Sequence, residues 1–194
     1  MLSVRMKGMG ENMARKESIT RDYLFETSFE LLRKEGIENI TARKLAAKAG
    51  CSTQPIFRLY QNMDELMEEL FDEAVEYFEN FYFKSPHYDF TPFVNLGVSY
   101  IRFAVEEKHL FQMLFLSGER YGKSLYEILN GKMSAVGREI TNAQNEGCKD
   151  AGDLFMKMWV FIHGAACMSI TGDYDLELKD TIEMLVNAFR AFKK

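Results

Sequence analysis

Little in this chain points to covalent staples, bound metal or a membrane span. Its three cysteines, Cys51, Cys148 and Cys167, form no even-numbered set and show no metal-ligand spacing. A disulfide framework and a zinc module are therefore not encoded, and reduced cytosol is the natural compartment. Cys148 lies in a polar loop with Lys149 as its only basic neighbour, which suits a plain surface thiol better than an oxidation sensor. The three histidines, His87, His109 and His163, are equally scattered. Only Pro55, Pro86 and Pro92 interrupt the backbone, and no convincing alternating apolar pattern occurs, so the chain reads as all-α. No uninterrupted apolar run approaches the ~18 residues of a membrane span. The N-terminal stretch MLSVRMKGMGENMARKES lacks the apolar segment of a signal peptide. A cytoplasmic protein without a membrane partner is expected. Also missing are a Gly-rich phosphate loop, a nucleophile–His–acid arrangement and a metal-ligand cluster. Neither an enzyme, a cofactor nor a metal site is expected.

What the chain does have is a polarised charge. Residues 1–62 hold 11 Lys and Arg against 7 Asp and Glu, a net +4, whereas the remainder holds 13 against 22, a net −9. A basic head on an acidic body suits a molecule that docks on phosphates by one end only. The overall charge of −5 is thus no argument against a nucleic-acid partner.

The most informative segment is TARKLAAKAGCSTQPIFRLYQNMDEL, Thr41 to Leu66. It predicts two short helices joined by a tight turn. Thr41 can cap the first, and Ala42 to Lys48 are good helix formers. Gly50 supplies the positive φ of a helix C-terminus. Ser52 is placed as the next cap, with Thr53 to Tyr60 as the second helix and Pro55 in its first turn. Leu45, Ala46 and Ala49 can meet Ile56 and Leu59 across the turn. This is the form of a helix-turn-helix.

From Arg21 to Leu66 the chain resembles the DNA-binding domain of the TetR family of one-component transcriptional regulators. The resemblance rests on Leu24-Phe25, Leu31-Leu32, Gly36, Thr41, Leu45-Ala46, Ala49-Gly50, Ser52, Ile56-Phe57, Tyr60 and Leu66, in register and without a gap. The chain departs from the family pattern at Phe57 (mostly Tyr), Leu59 (often His or Tyr), Tyr60 (mostly Phe) and Met63 (often Lys). Phe57, Leu59 and Met63 thereby lack polar groups that often touch phosphate. The resemblance implies that the second helix enters the major groove, with Thr53 and Gln54 at base edges and Arg58 on guanine or phosphate. Thr41, Lys44, Ser52, Tyr60 and the helix begun by Asn62 are placed for phosphates, with Arg43 a weaker candidate. Phe57 belongs to the same surface.

Further helices are expected at about 20–35, 63–82, 92–106, 108–117, 121–145, 153–171 and 175–192, about nine in all. The expected organisation is an arm over 1–18 with Met13 as an alternative start, a helix-turn-helix domain over 19–62, a connecting helix over 63–83, and an effector-binding and dimerisation domain over 84–194. The carboxylates along the connecting helix read as a solvated face. Trp159 to Gly164 also resembles a Trp…His-Gly signature of one TetR subgroup. His163 reads as a core or interface histidine, with ligand contact as the alternative.

The body is rich in Phe, Tyr and Met, residue types that line adaptable apolar pockets as well as ordinary cores. With the resemblance, they imply an effector cavity drawing on Tyr100, Phe103, Phe111, Met113, Tyr126, Met133, Phe155, Trp159 and His163, for a mainly apolar or aromatic small molecule. Glu106, Glu107, Glu119 and Glu127 leave a cationic ligand open. The dimer interface is expected at Gly164, Cys167, Leu178, Ile182, Leu185 and Phe189, the last four at a/d-like steps. The resemblance thus implies a homodimeric repressor released from a palindromic operator by a small effector, the alternatives being an activator or an effector-independent DNA-binding protein.

Overall fold

The computed structural model describes residues 19–193, so the expected arm over 1–18 and the Met13 start lie outside the described residues. Ten α-helices follow one another, and no β-strand occurs among the described residues. They are α1 (Arg21–Glu35), α2 (Ala42–Lys48), α3 (Gln54–Leu59), α4 (Met63–Lys84), α5 (Val94–Glu106), α6 (Lys108–Phe111), α7 (Leu125–Asn130), α8 (Ala135–Asn145), α9 (Ala151–Thr171) and α10 (Leu178–Phe192). After α6 the chain widens into a π-helical turn over Gln112–Leu116.

Local chemistry sets most of these boundaries. The hydroxyls of Thr20 and Thr41 and the amide oxygen of Asn62 each accept a backbone N–H of the first turn they precede, removing an orphan donor. Ser124 and Glu127 form a reciprocal capping box at α7. At the end of α2 the Cys51 N–H reaches back to the Ala46 carbonyl at 2.9 Å, with Gly50 at φ +67° between them. That closure needs the left-handed conformation that glycine adopts without steric cost.

Several boundaries differ from the sequence reading, three of them instructively. The helix expected over 121–145 is broken into α7 and α8 at Gly131, giving ten helices rather than nine. Gly131 has φ +58°, and a Cβ there would run into the Glu79 carboxyl group. Second, Thr91-Pro92 does not open α5. Phe93 adopts a left-handed conformation, buries its ring and donates its N–H to the Glu139 carboxylate, so the helix starts at Val94. Third, Thr53 rather than Ser52 occupies the cap position of α3, and it makes no side-chain cap bond.

The head is α1 to α3, closed on a core of Leu24, Leu31, Leu32, Leu45, Ile56 and Tyr60. Helix α4 runs from the head into the body, burying Leu66, Leu70, Ala74 and Phe78 along one face. In the body, α9 packs against α5, α8 and α10. Helix α9 is long and apolar enough, by length and composition, to cross a membrane. Its inward face is core, including Leu154, Phe155, Met158, Ile162 and Ala166.

Candidate functional site

The helix-turn-helix presents one continuous polar and aromatic surface. Ile56 is fully buried and fixes the inner face of α3, so Thr53, Gln54, Phe57 and Arg58 stand on the outer face, all exposed. The spacing puts Thr53 over Phe57 and Gln54 over Arg58. On α2 and its flanks, Thr41, Arg43, Lys44 and Ser52 are exposed too. These side chains offer what a duplex requires: an amide able to pair with adenine, guanidinium and ammonium groups for phosphate or guanine, and hydroxyls for phosphate.

Several placements qualify the expected contacts. Tyr60 is 1 % exposed, and its hydroxyl faces the protein interior, not a phosphate. Burial pushes that phenol up to about 12. The Lys44 ammonium touches Asn39 and lies 3.8 Å from a Glu35 carboxylate oxygen, so a phosphate at Lys44 competes with Glu35. Asn62 is exposed, but its oxygen accepts the Glu65 N–H at 2.9 Å, and Asp64 and Glu65 occupy the first turn of α4. Those carboxylates already answer the positive end of the helix.

One positioning residue was missed from the sequence. Arg21, at the start of α1, donates to the Leu59 carbonyl at 2.8 Å and to Glu65 at 2.8 Å, and also reaches Glu69. Its guanidinium carbon lies 4.2 Å from the centre of the Tyr60 ring. A single side chain therefore ties the C-terminal end of α3 to α4. The Arg21 guanidinium, followed by the Gln61 amide, holds the Glu65 carboxyl below the usual carboxylate range. Arg21 stands 38 and 44 positions from these partners, and no local pattern announces the pairing.

In the body, an enclosed apolar cavity lies among α5, α7 and α9, lined by Phe93, Leu96, Tyr100, Leu129, Phe155, Met158, Trp159 and Ile162. Its volume is only about 10 Å³, so the lining all but closes it. The structure brings Tyr100, Phe155 and Trp159 of the expected set together there. Phe103, Phe111 and Met113 are core residues at 1 % exposure or less, whereas Tyr126 and Met133 lie near half exposure on the surface. Those five do not line the cavity. Phe93, Leu96, Leu129, Met158 and Ile162 were missed because an apolar side chain gives no sequence sign of whether it faces a gap or a neighbour.

His163 flanks the cavity wall. Its Nδ1 lies 3.0 Å from the Tyr100 hydroxyl and its Nε2 lies 3.5 Å from Cys167 Sγ. Burial lowers the His163 pKa and raises those of Tyr100 and Cys167. Tyr100 therefore stays protonated and the imidazole neutral, with one ring nitrogen bonded to the hydroxyl and the other against sulfur.

A larger open cleft of about 740 Å³ separates α1 from α4 and the α7 region. Glu69, Asp72, Glu73, Glu76, Glu79 and Glu127 outnumber its cations Arg21, Lys123 and Lys132. The excess negative charge disfavours an anionic ligand there.

The expected dimer residues divide. Leu185 and Phe189 are 0 % and 3 % exposed. They are spent on the chain's own core, because α10 folds back onto α5 and α9, and are closed to a partner. Gly164 and Leu178 are exposed, and Cys167 and Ile182 are half-buried. Around Gly164 runs a bare stripe of Met156, Val160 and Met168 at steps of four, with Phe161 beside it.

Residues 24–70 match the profile of the bacterial regulatory proteins of the tetR family. In fold, the chain is similar to a protein of Vibrio parahaemolyticus assigned to the TetR-family transcriptional regulators, with a TM-score of 0.64 at 16 % identity. It is also similar to one of Rhodococcus sp. with the same assignment, with a TM-score of 0.59 at 15 % identity. Each alignment covers 90 % of this chain and 98 % of the other. No curated protein matches the chain. None of these comparisons bears on the Trp…His-Gly subgroup. The head thus carries the sequence of a tetR-family DNA-binding domain over residues 24–70, and the chain shares its fold with two proteins assigned to that family.

Proposed function

We propose that the protein is a sequence-specific DNA-binding transcriptional regulator that acts as a homodimer, most simply a repressor released from a palindromic operator by a small, mainly apolar or aromatic effector. The observation that carries this reading is the outer face of α3, where Thr53, Gln54, Phe57 and Arg58 stand exposed on a helix pinned by the buried Ile56. Two heads held at a fixed spacing would read half-sites one helical turn apart. The bare stripe Met156, Val160, Gly164 and Met168 on α9 is the surface that a second copy would cover.

The effector would enter the cavity beside Trp159 and Tyr100. An apolar lining of this kind selects ligands by shape and aromatic stacking. Because the cavity is so small, the ligand must part α5 from α9 as it enters. Opening of that kind can change the head spacing. A tenfold loss of operator affinity requires about 1.4 kcal/mol of difference in effector affinity between the two states. The same closed cavity favours the second reading, an effector-independent regulator.

The deciding experiment is selection of bound duplexes from a random library with the purified protein at near-physiological salt. A palindromic motif is the expected result. Recovery of no motif above the non-specific background would overturn the regulator reading.

A further inference from the structure

Phe57 is the most exposed aromatic ring of the head, at 53 % against 45 % for Tyr23 and 1 % for Tyr60. It stands on the outer face of α3 one turn from Thr53 and beside Arg58, opposite the fully buried Ile56. The neighbours on this face are polar or charged and exposed. No packing within the chain accounts for a phenyl ring at this position. On the regulator reading, on which this inference rests, the ring is carried into the major groove together with Gln54.

Phenyl has neither donor nor acceptor, so it cannot read the hydrogen-bonding pattern of a base edge. The major groove offers it one apolar feature, the C5-methyl group of thymine. We infer that Phe57 is a specificity-determining residue that selects thymine by contact with that methyl group, at a position next to the base read by Gln54. Phe57 is three residues beyond Gln54, a rise of about 4.5 Å along the helix, and successive bases on one strand are about 3.4 Å apart. The two side chains therefore address neighbouring steps of one half-site. Gln54 pairs best with adenine, so the α3 footprint is a short A/T-containing element. The missing hydroxyl at Phe57 acquires a positive role: a ring without a polar end gains nothing from turning to the phosphates.

Uracil in place of thymine removes only the methyl group, which makes the test direct. The full-length protein is first used to select duplexes from a random library. Each thymine of the enriched half-site is then replaced singly by uracil, and affinities are compared for the wild-type protein, Phe57→Ala and Lys44→Ala. The expected result is one sensitive thymine per half-site. Its loss weakens wild-type binding about fourfold, from the value of one buried methyl-sized group, or about fifteenfold with both half-sites changed. Phe57→Ala binds the thymine and uracil duplexes alike, whereas Lys44→Ala keeps the full ratio. Placing 5-methylcytosine at the sensitive position of an otherwise cytosine-substituted site restores part of the wild-type affinity and none of the variant's. Because Phe57 is exposed, an unchanged thermal midpoint in Phe57→Ala shows that the head is intact. An enriched motif in which every thymine tolerates uracil overturns the role of Phe57 and leaves the regulator reading standing. So does a sensitive thymine whose effect survives in Phe57→Ala. No enriched motif at all overturns both.

Discussion

The Arg33 Nε–H donates to Glu107 Oε2 at 2.9 Å, joining α1 of the head to the corner between α5 and α6. Tyr77 of α4 completes a ring: its hydroxyl accepts from Arg33 Nη2 at 2.9 Å and donates to Glu107 Oε1 at 2.8 Å. The Glu107 hydrogen bond raises the pKa of Arg33, and Glu107 is only 9 % exposed. Head, connecting helix and body thus share one polar junction. Arg33→Leu leaves a nearly buried carboxylate with Tyr77 as its remaining side-chain donor. That should destabilise the protein by roughly 1–3 kcal/mol, toward the lower end because Arg33 is partly solvated. Glu107→Gln should cost less, since the amide oxygen still accepts. Urea unfolding of the two single variants and the double variant measures the coupling. Coincident curves for Arg33→Leu and wild type would show that the junction contributes nothing to stability.

A second expectation concerns pH. Burial depresses the pKa of His163, so the unfolded chain takes up a proton there more readily than the folded one. The stabilising contribution is full above the unfolded value of about 6.5 and falls as pH drops through the folded value. Wild type should therefore lose more stability between pH 7.5 and 5.5 than His163→Gln, which has no proton to gain. The quantity to measure is the difference between their urea midpoints at the two pH values. Parallel pH dependences would mean that the imidazole takes up its proton equally in both states.

These two sites show where sequence reasoning ends. The caps Thr41 and Asn62 and the turn at Gly50 act within a few residues of themselves, so those boundaries of the head were legible, whereas the α3 cap at Thr53, the buried Tyr60 and the long-range Arg21 contacts were not. Arg33 and Glu107 are 74 positions apart, and nothing near either one announces the other. Leu185 and Phe189 fail for another reason. A periodic apolar stripe says that a helix face will be covered but not by which chain, and here α5 and α9 of the same chain cover it. At Thr91-Pro92 a favourable local start is overridden by the buried Phe93 ring and the Glu139 carboxylate. The cavity is the least legible part of all, because a gap belongs to the packing of helices distant in sequence.

On the proposed DNA-facing surface, Gln54 and Lys44 should separate cleanly. Gln54→Ala should cost roughly 1–3 kcal/mol on the selected site and relax preference at one position of each half-site. Lys44→Ala should weaken all duplexes alike and lower the salt slope by about 1 for each lysine that contacts a phosphate. Because Glu35 lies 3.8 Å from the Lys44 ammonium, Glu35→Gln should strengthen non-specific binding. Titrations at several salt concentrations, on selected and scrambled duplexes, test all three. Uniform losses for both alanine variants would remove the distinction between base reading and phosphate contact.

The last prediction uses the chain's single tryptophan. Trp159 lines the apolar cavity, with its ring centre 5.0 Å from that of Tyr100 and 5.0 Å from the imidazole of His163. Any ligand that enters must displace or stack against this indole, so its emission should change in step with occupancy. A small aromatic probe that does not emit in the tryptophan range, such as ethyl benzoate, should perturb the fluorescence saturably. Met158→Ala removes a fully buried side chain from the same wall. It should cost roughly 2–5 kcal/mol of stability yet bind the probe more tightly, because part of the space that the ligand must open is already present. Phe71→Ala, a comparable deletion in the fully buried core of α4 and away from the cavity lining, should destabilise without strengthening binding. Tighter binding in Met158→Ala alone places the ligand beside Trp159. An equal gain in both variants would trace the signal to general loosening of the fold, and no saturable change in any of the three proteins would leave the cavity as ordinary core packing.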